Sequence, residues 1–360
     1  MKKTIALLMI TMMVICSLSA CASPAGSSGD DKISIVTTIF PEYDWVMNVL
    51  GGNPANAEVT LLLDNGVDLH SYQPTADDIM KIATCDMFIY VGGESDRWVE
   101  DALSEAVNKD MVVINLLEVL GESVKEEEVV EGMQEEDEHD HHHDEDEDHD
   151  EDHDHDEDED HDHEHDQDED GEHHHHDEDE TEYDEHVWLS LKNAVICTEA
   201  ISHALQDKVD PENSITYAEN AAEYMRKLFT LDREYEETIA NASGDTLLFG
   251  DRFPFRYLTD DYDLNYYAAF AGCSAETEAS FETVTFLAGK VDELNLGCIL
   301  TIETSDGKIA ETIRDNTSTG DQKILVLDSL QSVTMDDIIN GVTYLSIMKE
   351  NLNVLSEALN

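Results

Sequence analysis

The sequence predicts an α/β chain of two lobes, each with a four-stranded parallel sheet flanked by helices, joined by one long rigid α-helix. Three observations carry this. After residue 30, short runs of branched and aromatic residues alternate with amphipathic stretches; the alternation comes in two sets of four; and an unbroken helical pattern of about thirty residues separates the sets. Near-continuous apolar strands separated by helices imply parallel sheets covered on both faces. Outside one charged run, about 310 residues remain, enough for two cores.

In chain order, "MKKTIALLMITMMVICSLSAC" carries two lysines, an apolar stretch and small residues before a cysteine, the pattern of a signal peptide over 1–20. Leu18-Ser19-Ala20-Cys21 resembles the bacterial lipobox, which implies lipidation of Cys21 and a membrane anchor outside the cytoplasm. Residues 21–31, "ASPAGSSGDD" among them, form a tether. The N-terminal lobe occupies 32–210. Its strands are "ISIVTTI" (33–39), "EVTLLL" (58–63), "MFIYVGG" (87–93) and "VVINL" (112–116), and Thr75 and Ser95 are capping residues for the helices between them.

A disordered insert is expected over 124–185. It holds 33 Asp and Glu between 135 and 185 and fourteen histidines between 139 and 176, with no Lys or Arg from 126 to 191. Such a segment repels itself and buries almost nothing. Disorder alone does not call for imidazole, whereas histidine-rich tracts read as metal binding. The run is expected to concentrate or sense metal ions beside a tighter site.

The linker helix spans 211–242, beginning at Pro211, with Ile215, Ala218, Ala222, Met225, Leu228 and Phe229 as its buried face. The C-terminal lobe, 243–360, repeats the alternation. Its strands are "TLLFGD" (246–251), "LNYYAAF" (264–270), "CILTIE" (298–303) and "KILVLDSL" (323–330), with helical "SFETVTFLAGKVDELN" and "DGKIAETIRDN" between them.

Charge narrows the function. The formal charge is −66, and removing the acidic run still leaves about −33, with 19 Lys plus Arg against 85 Asp plus Glu. No basic footprint for nucleic acid exists, and cations are favoured partners. Cys85, Cys197, Cys273 and Cys298 remain in the mature fold with pairing open; with no CxxC, a thiolate metal site is not expected. Neither HExxH nor GxSxG is present, so the chain is read as a binding protein and not an enzyme.

Open α/β sheets bind ligands at the carboxyl ends of their strands. His70 follows the second strand in "GVDLHSYQPTADDI", and His186 lies in "DEHVWLSL" after the acidic run. These two segments together resemble the N-lobe signatures of the zinc and manganese solute-binding lipoproteins of bacterial ABC importers, over essentially the whole mature chain. The resemblance implies a monomeric receptor that holds Zn²⁺, with Mn²⁺ as an alternative, between its lobes and delivers it to a membrane ABC permease; a surface metal buffer or adhesin is the other alternative. It implies His70 and His186 as N-lobe ligands. Asp328, in "KILVLDSL", is implied for the last ligand. For the third, "FGDRFPFRYL" offers Gly250 where the family carries His or Glu, and Asp251 beside it is the preferred donor. Glu303 is the alternative, as ligand or outer partner, and Glu276 a weaker one. Arg252 and Arg256 are read as neutralising carboxylates. Two imidazoles with carboxylates suit Zn²⁺ and Mn²⁺ alike, and the imidazole-dense run tips the choice to zinc.

Overall fold

The computed structural model describes residues 32–134, 182–274 and 278–360. The signal peptide, the whole tether with Cys21, the histidine-rich stretch and Glu276 lie outside the described residues.

The N-terminal lobe is built from β1 (Ser34–Thr37), α1 (Phe40–Leu50), β2 (Glu58–Leu61), α2 (Ala76–Thr84), β3 (Met87–Tyr90), α3 (Trp98–Ser104), β4 (Val112–Asn115), α4 (Leu116–Leu120) and, after the acidic run, α5 (Leu191–Ala204). The four strands are parallel in the order β2-β1-β3-β4. All eight strand segments expected from the sequence are present, with ends that differ by a few residues; β5 alone runs longer than expected, to Phe253. Helix starts follow local chemistry: Thr75 caps α2 in a reciprocal box with Asp78, and Ser190 caps α5. Ser95 is different from expectation. It caps no helix, since α3 begins at Trp98, and its hydroxyl is used elsewhere.

Helix α6 (Ser214–Ala240) is the linker, 27 residues entered through a 3₁₀ turn at Pro211–Asn213, which sets its first α-turn three residues later than expected. At 1.5 Å per residue it is about 40 Å long. Its buried face is Tyr217, Ala221, Tyr224, Leu228, Leu231 and Tyr235. Of the six positions expected, only Leu228 is buried; Ile215 is 74% and Phe229 52% exposed. The tyrosines explain the rotation, because a ring packs while its hydroxyl finds a partner. Tyr224 donates to Asp44 Oδ2 in α1 at 2.8 Å, and Asn220 to the Val49 carbonyl at 3.0 Å. Toward the other end Asp232 accepts from Tyr262 at 2.9 Å. The helix is thus tied to both lobes.

The C-terminal lobe comprises β5 (Thr246–Phe253), α7 (Arg256–Asp261), β6 (Asn265–Ala271), α8 (Phe281–Leu294), β7 (Cys298–Ile302), α9 (Lys308–Asp315), β8 (Lys323–Leu327), α10 (Met335–Ile339) and α11 (Tyr344–Ala358). Its parallel order is β6-β5-β7-β8. Alternate residues of β5 enter different cores: Leu247 and Phe249 join the large cluster that runs through the N-lobe and α6, and Leu248 joins a smaller one with Phe270, Leu287, Ile299 and Ile313. Gly250 is explained by packing. A Cβ there would lie 2.6 Å from Ala310 Cα, so α9 can sit against β5 only over a glycine.

Both sheets reverse direction beside their first strand, between β1 and β3 and between β5 and β7, which places a crevice at the carboxyl ends of each. The two edges of the acidic insert, 124–134 and 182–185, are folded, contrary to expectation. Glu126 bridges Tyr183 antiparallel, Asp184 N donates to the Lys125 carbonyl at 2.9 Å, and Gln134 N to the Ala269 carbonyl at 2.9 Å.

Candidate metal centre

Two short motifs build the centre. In Asp68-Leu69-His70 and Asp184-Glu185-His186, the histidine backbone N–H donates to the aspartate Oδ1 two residues earlier, at 3.0 and 2.9 Å. Each turn leads into a 3₁₀ segment, Leu69–Ser71 and Val187–Leu189, and aims its imidazole at the other. The Nε2 atoms lie 3.1 Å apart. A tetrahedral Zn²⁺ needs its two nitrogens roughly 3.3 Å apart, so the pair is close to ligating geometry.

The far side of each ring is held. His186 Nδ1 lies 3.0 Å from Asp184 Oδ1. A carboxylate only accepts, so Nδ1 carries the proton and Nε2 the lone pair, the carboxylate–histidine arrangement of metal sites. His70 Nδ1 lies 2.8 Å from the Ser95 hydroxyl, with Glu185 Oε2 at 3.6 Å. Glu185 Oε1 in turn accepts from Ser95 N at 2.9 Å, and it approaches the backbone at Gly93 (φ +84°), where a Cβ would lie 2.3 Å from it. Burial, reinforced by the positive charge His186 would carry, lowers His70 to about 3, so this imidazole stays neutral. His186 is fully buried, and Gly272 makes room for it: a Cβ there would meet its ring at 3.2 Å.

The acidic C-lobe residues are placed elsewhere. Among the described residues, the donor atoms gathered within 4.8 Å of one another are those of His70, His186 and Cys273; neither Asp251 nor Asp328 joins them. Asp251 Oδ1 accepts from Arg252 N at 2.9 Å, and its side chain lines a separate cavity of about 400 Å³ with Asp68, Arg252 and Ser305. Burial raises its pKa. Asp328 stands at the end of β8, raised to about 7 by burial and by the neighbouring Glu303 carboxylate. Glu303 holds the turn that follows Asp328, accepting from Ser329 N at 2.7 Å, Ser329 Oγ at 2.9 Å and Gln331 N at 3.2 Å. That loop reaches the histidines indirectly: Trp188 Nε1 donates to the Ser329 carbonyl at 2.9 Å, and the Trp188 ring lies 5.2 Å from that of His186.

Both arginines pair with carboxylates, as expected. Arg252 Nη2 donates to Asp68 Oδ2 at 2.7 Å, an inter-lobe ion pair two residues from His70, and Arg256 Nη2 lies 3.4 Å from Glu128. Burial pushes Asp68 up, but Arg252 and His70 outweigh it and hold the carboxyl below its usual value. The four mature cysteines in the described residues are separate thiols. Sequence reasoning missed Asp184, Ser95 and Cys273. The repeated Asp-x-His spacing was a signal for the first; nothing local marked the others.

A two-lobed α/β chain with an imidazole pair turned toward the inter-lobe crevice has the frame of a metal-binding protein. Residues 35–358 match the model of ZnuA, the zinc-uptake complex component A, periplasmic, and the chain belongs to that family. The family is one of zinc-uptake components, not of enzymes. The zinc-binding lipoprotein AdcA of Streptococcus pneumoniae is 29% identical over 99% of this chain and 61% of its own length, so the chain spans about three fifths of that relative. The high-affinity zinc uptake system protein ZnuA of Bacillus subtilis is 28% identical over 97% of this chain and 94% of its own. The crystal structure of the Zn(II)-bound ZnuA-like domain of S. pneumoniae AdcA superposes with a TM-score of 0.63 at 26% identity, covering 91% of this chain and 99% of that domain.

Proposed function

We propose that the chain is the extracytoplasmic receptor of a zinc importer: it captures Zn²⁺ between its lobes, with His70 and His186 as nitrogen donors, and passes it to an ABC-type permease in the membrane. The facing Nε2 atoms at 3.1 Å, each ring fixed from behind, are the observation that carries this. Relatives named for zinc favour that ion over manganese. Asp328 is the carboxylate we assign to complete the coordination from the C-lobe, with Glu303 shaping its loop; Asp251, turned to the Ser305 cavity, is the less supported donor. The lipobox-like Leu18–Cys21 supports a lipid anchor at Cys21, and the receptor acts as a monomer. The histidine-rich run raises local zinc concentration and hands ions to the tight site.

Zinc uptake by cells lacking the gene tests this. Wild type should restore growth in zinc-poor medium, and the His70→Ala/His186→Ala double variant should not. Normal uptake in the deletion strain would favour a surface metal buffer instead.

A further inference from the structure

We infer that the Cys273 thiolate is a direct zinc ligand, a C-lobe sulfur donor beside the His70 and His186 imidazoles that leaves the fourth position to Asp328. This rests on the receptor reading above and names a donor that the sequence reading did not expect.

Four observations converge on Cys273. Its Sγ and one nitrogen of each of His70 and His186 lie within 4.8 Å of one another, the only such trio of candidate donors among the described residues. A tetrahedral ion needs N···S of roughly 3.6 Å, a contraction of about 1.2 Å at most. The residue is aimed by the fold: β6 ends at Ala271, Gly272 lets the chain pass against the His186 ring, and Cys273 N donates to Glu127 Oε1 at 2.9 Å. Glu127 N is itself anchored to the Glu182 carbonyl at 2.9 Å, so both folded edges of the acidic insert hold the cysteine in place. Finally, Cys273 and His70 line the same cavity of about 470 Å³, whose wall includes Glu182 and Tyr183, the residues that re-enter the fold from the histidine-rich run.

The alternatives on this side are committed. Arg252 is cationic and bound to Asp68, Asp251 has its own cavity, and Glu303 is occupied by backbone donors. Coordination forms a Zn–S bond and breaks the S–H bond, the proton leaving to solvent; no electron transfer is involved. Thiolate with imidazole selects zinc over manganese, so Cys273 sets the metal preference that two imidazoles and a carboxylate leave open.

X-ray absorption at the zinc edge, on the full mature chain with one equivalent of Zn²⁺, is the test. A sulfur shell at about 2.3 Å beside nitrogen or oxygen at about 2.0–2.1 Å is expected. It should vanish in Cys273→Ser, whose zinc affinity should drop more than about 100-fold, beyond the usual cost of losing an outer partner. Mass-mapped alkylation of the unmodified chain gives the same attribution without a variant: one equivalent of zinc should protect Cys273. A shell of nitrogen and oxygen only, or a sulfur shell that survives Cys273→Ser, or undiminished alkylation of Cys273, overturns the proposal. If stoichiometric binding is then still abolished by His70→Ala/His186→Ala, the receptor reading stands without the thiolate. Absence of any tight one-to-one zinc binding overturns both.

Discussion

At the scale of the residue, the centre is controlled by groups that do not themselves face the ion. Asp184 fixes both the backbone and the ring of His186, through contacts of 2.9 and 3.0 Å to one oxygen. Asp184→Ala should weaken zinc binding by about 10–100-fold, the usual cost of removing a carboxylate behind a ligating histidine. Competition with a zinc chelator measures this. Gly272→Val should do similar harm by a different route, because its side chain must enter the space of the His186 ring and the Phe253 carbonyl. The histidines were legible because "GVDLHSYQPTADDI" and "DEHVWLSL" resemble a family's two N-lobe signatures, and His70 also lies beyond a strand end. Cys273 was not, since a thiol recruited from the other lobe has no neighbouring cysteine to announce it. Asp251 illustrates the converse: adjacent in sequence to the expected ligand position, it points into a different cavity because Gly250 is fixed by the packing of α9.

At the scale of the element, helix α1, which packs against the linker helix, rests on a buried polar group. Glu42, in the first turn of α1, is wholly buried and accepts from Thr38 N at 2.8 Å and Thr38 Oγ1 at 3.1 Å. Burial first, and then the Asp96 carboxylate, push its pKa from 4.5 up to about 8. The folded state therefore holds a proton the unfolded chain has lost; the contribution is fully present below about pH 4.5 and is lost as pH rises through 8. Thermal melts from pH 5 to 9 should show a smaller fall in Tm for Glu42→Gln than for wild type, because an amide stays neutral throughout. The strands were readable because branched and aromatic runs leave little choice of element. The face of α6 was not, because its packing runs through tyrosine hydroxyls as well as rings. Leu228→Ala, at its one correctly expected buried position, should cost about 2–5 kcal/mol in chemical denaturation.

At the scale of the molecule, two parallel sheets, a strut tied to both, and the Arg252–Asp68 pair hold the lobes around the crevice. Sequence alternation alone predicted the two sheets, whereas the lobes' mutual placement depends on contacts between residues far apart in the chain. The segments that follow β2 and β6 place His70 and Cys273, and Glu182 and Tyr183, where the described chain resumes after the histidine-rich run, line the same cavity. Deleting residues 135–181 should leave one tight zinc equivalent per chain by calorimetry while removing the weaker, multiple binding.

Anomalous diffraction at the zinc edge from zinc-loaded crystals tests the central claim most directly. A single strong peak between His70 Nε2 and His186 Nε2 is the predicted result. Zinc found only along the histidine-rich stretch, with no peak beside those two nitrogens, would contradict it.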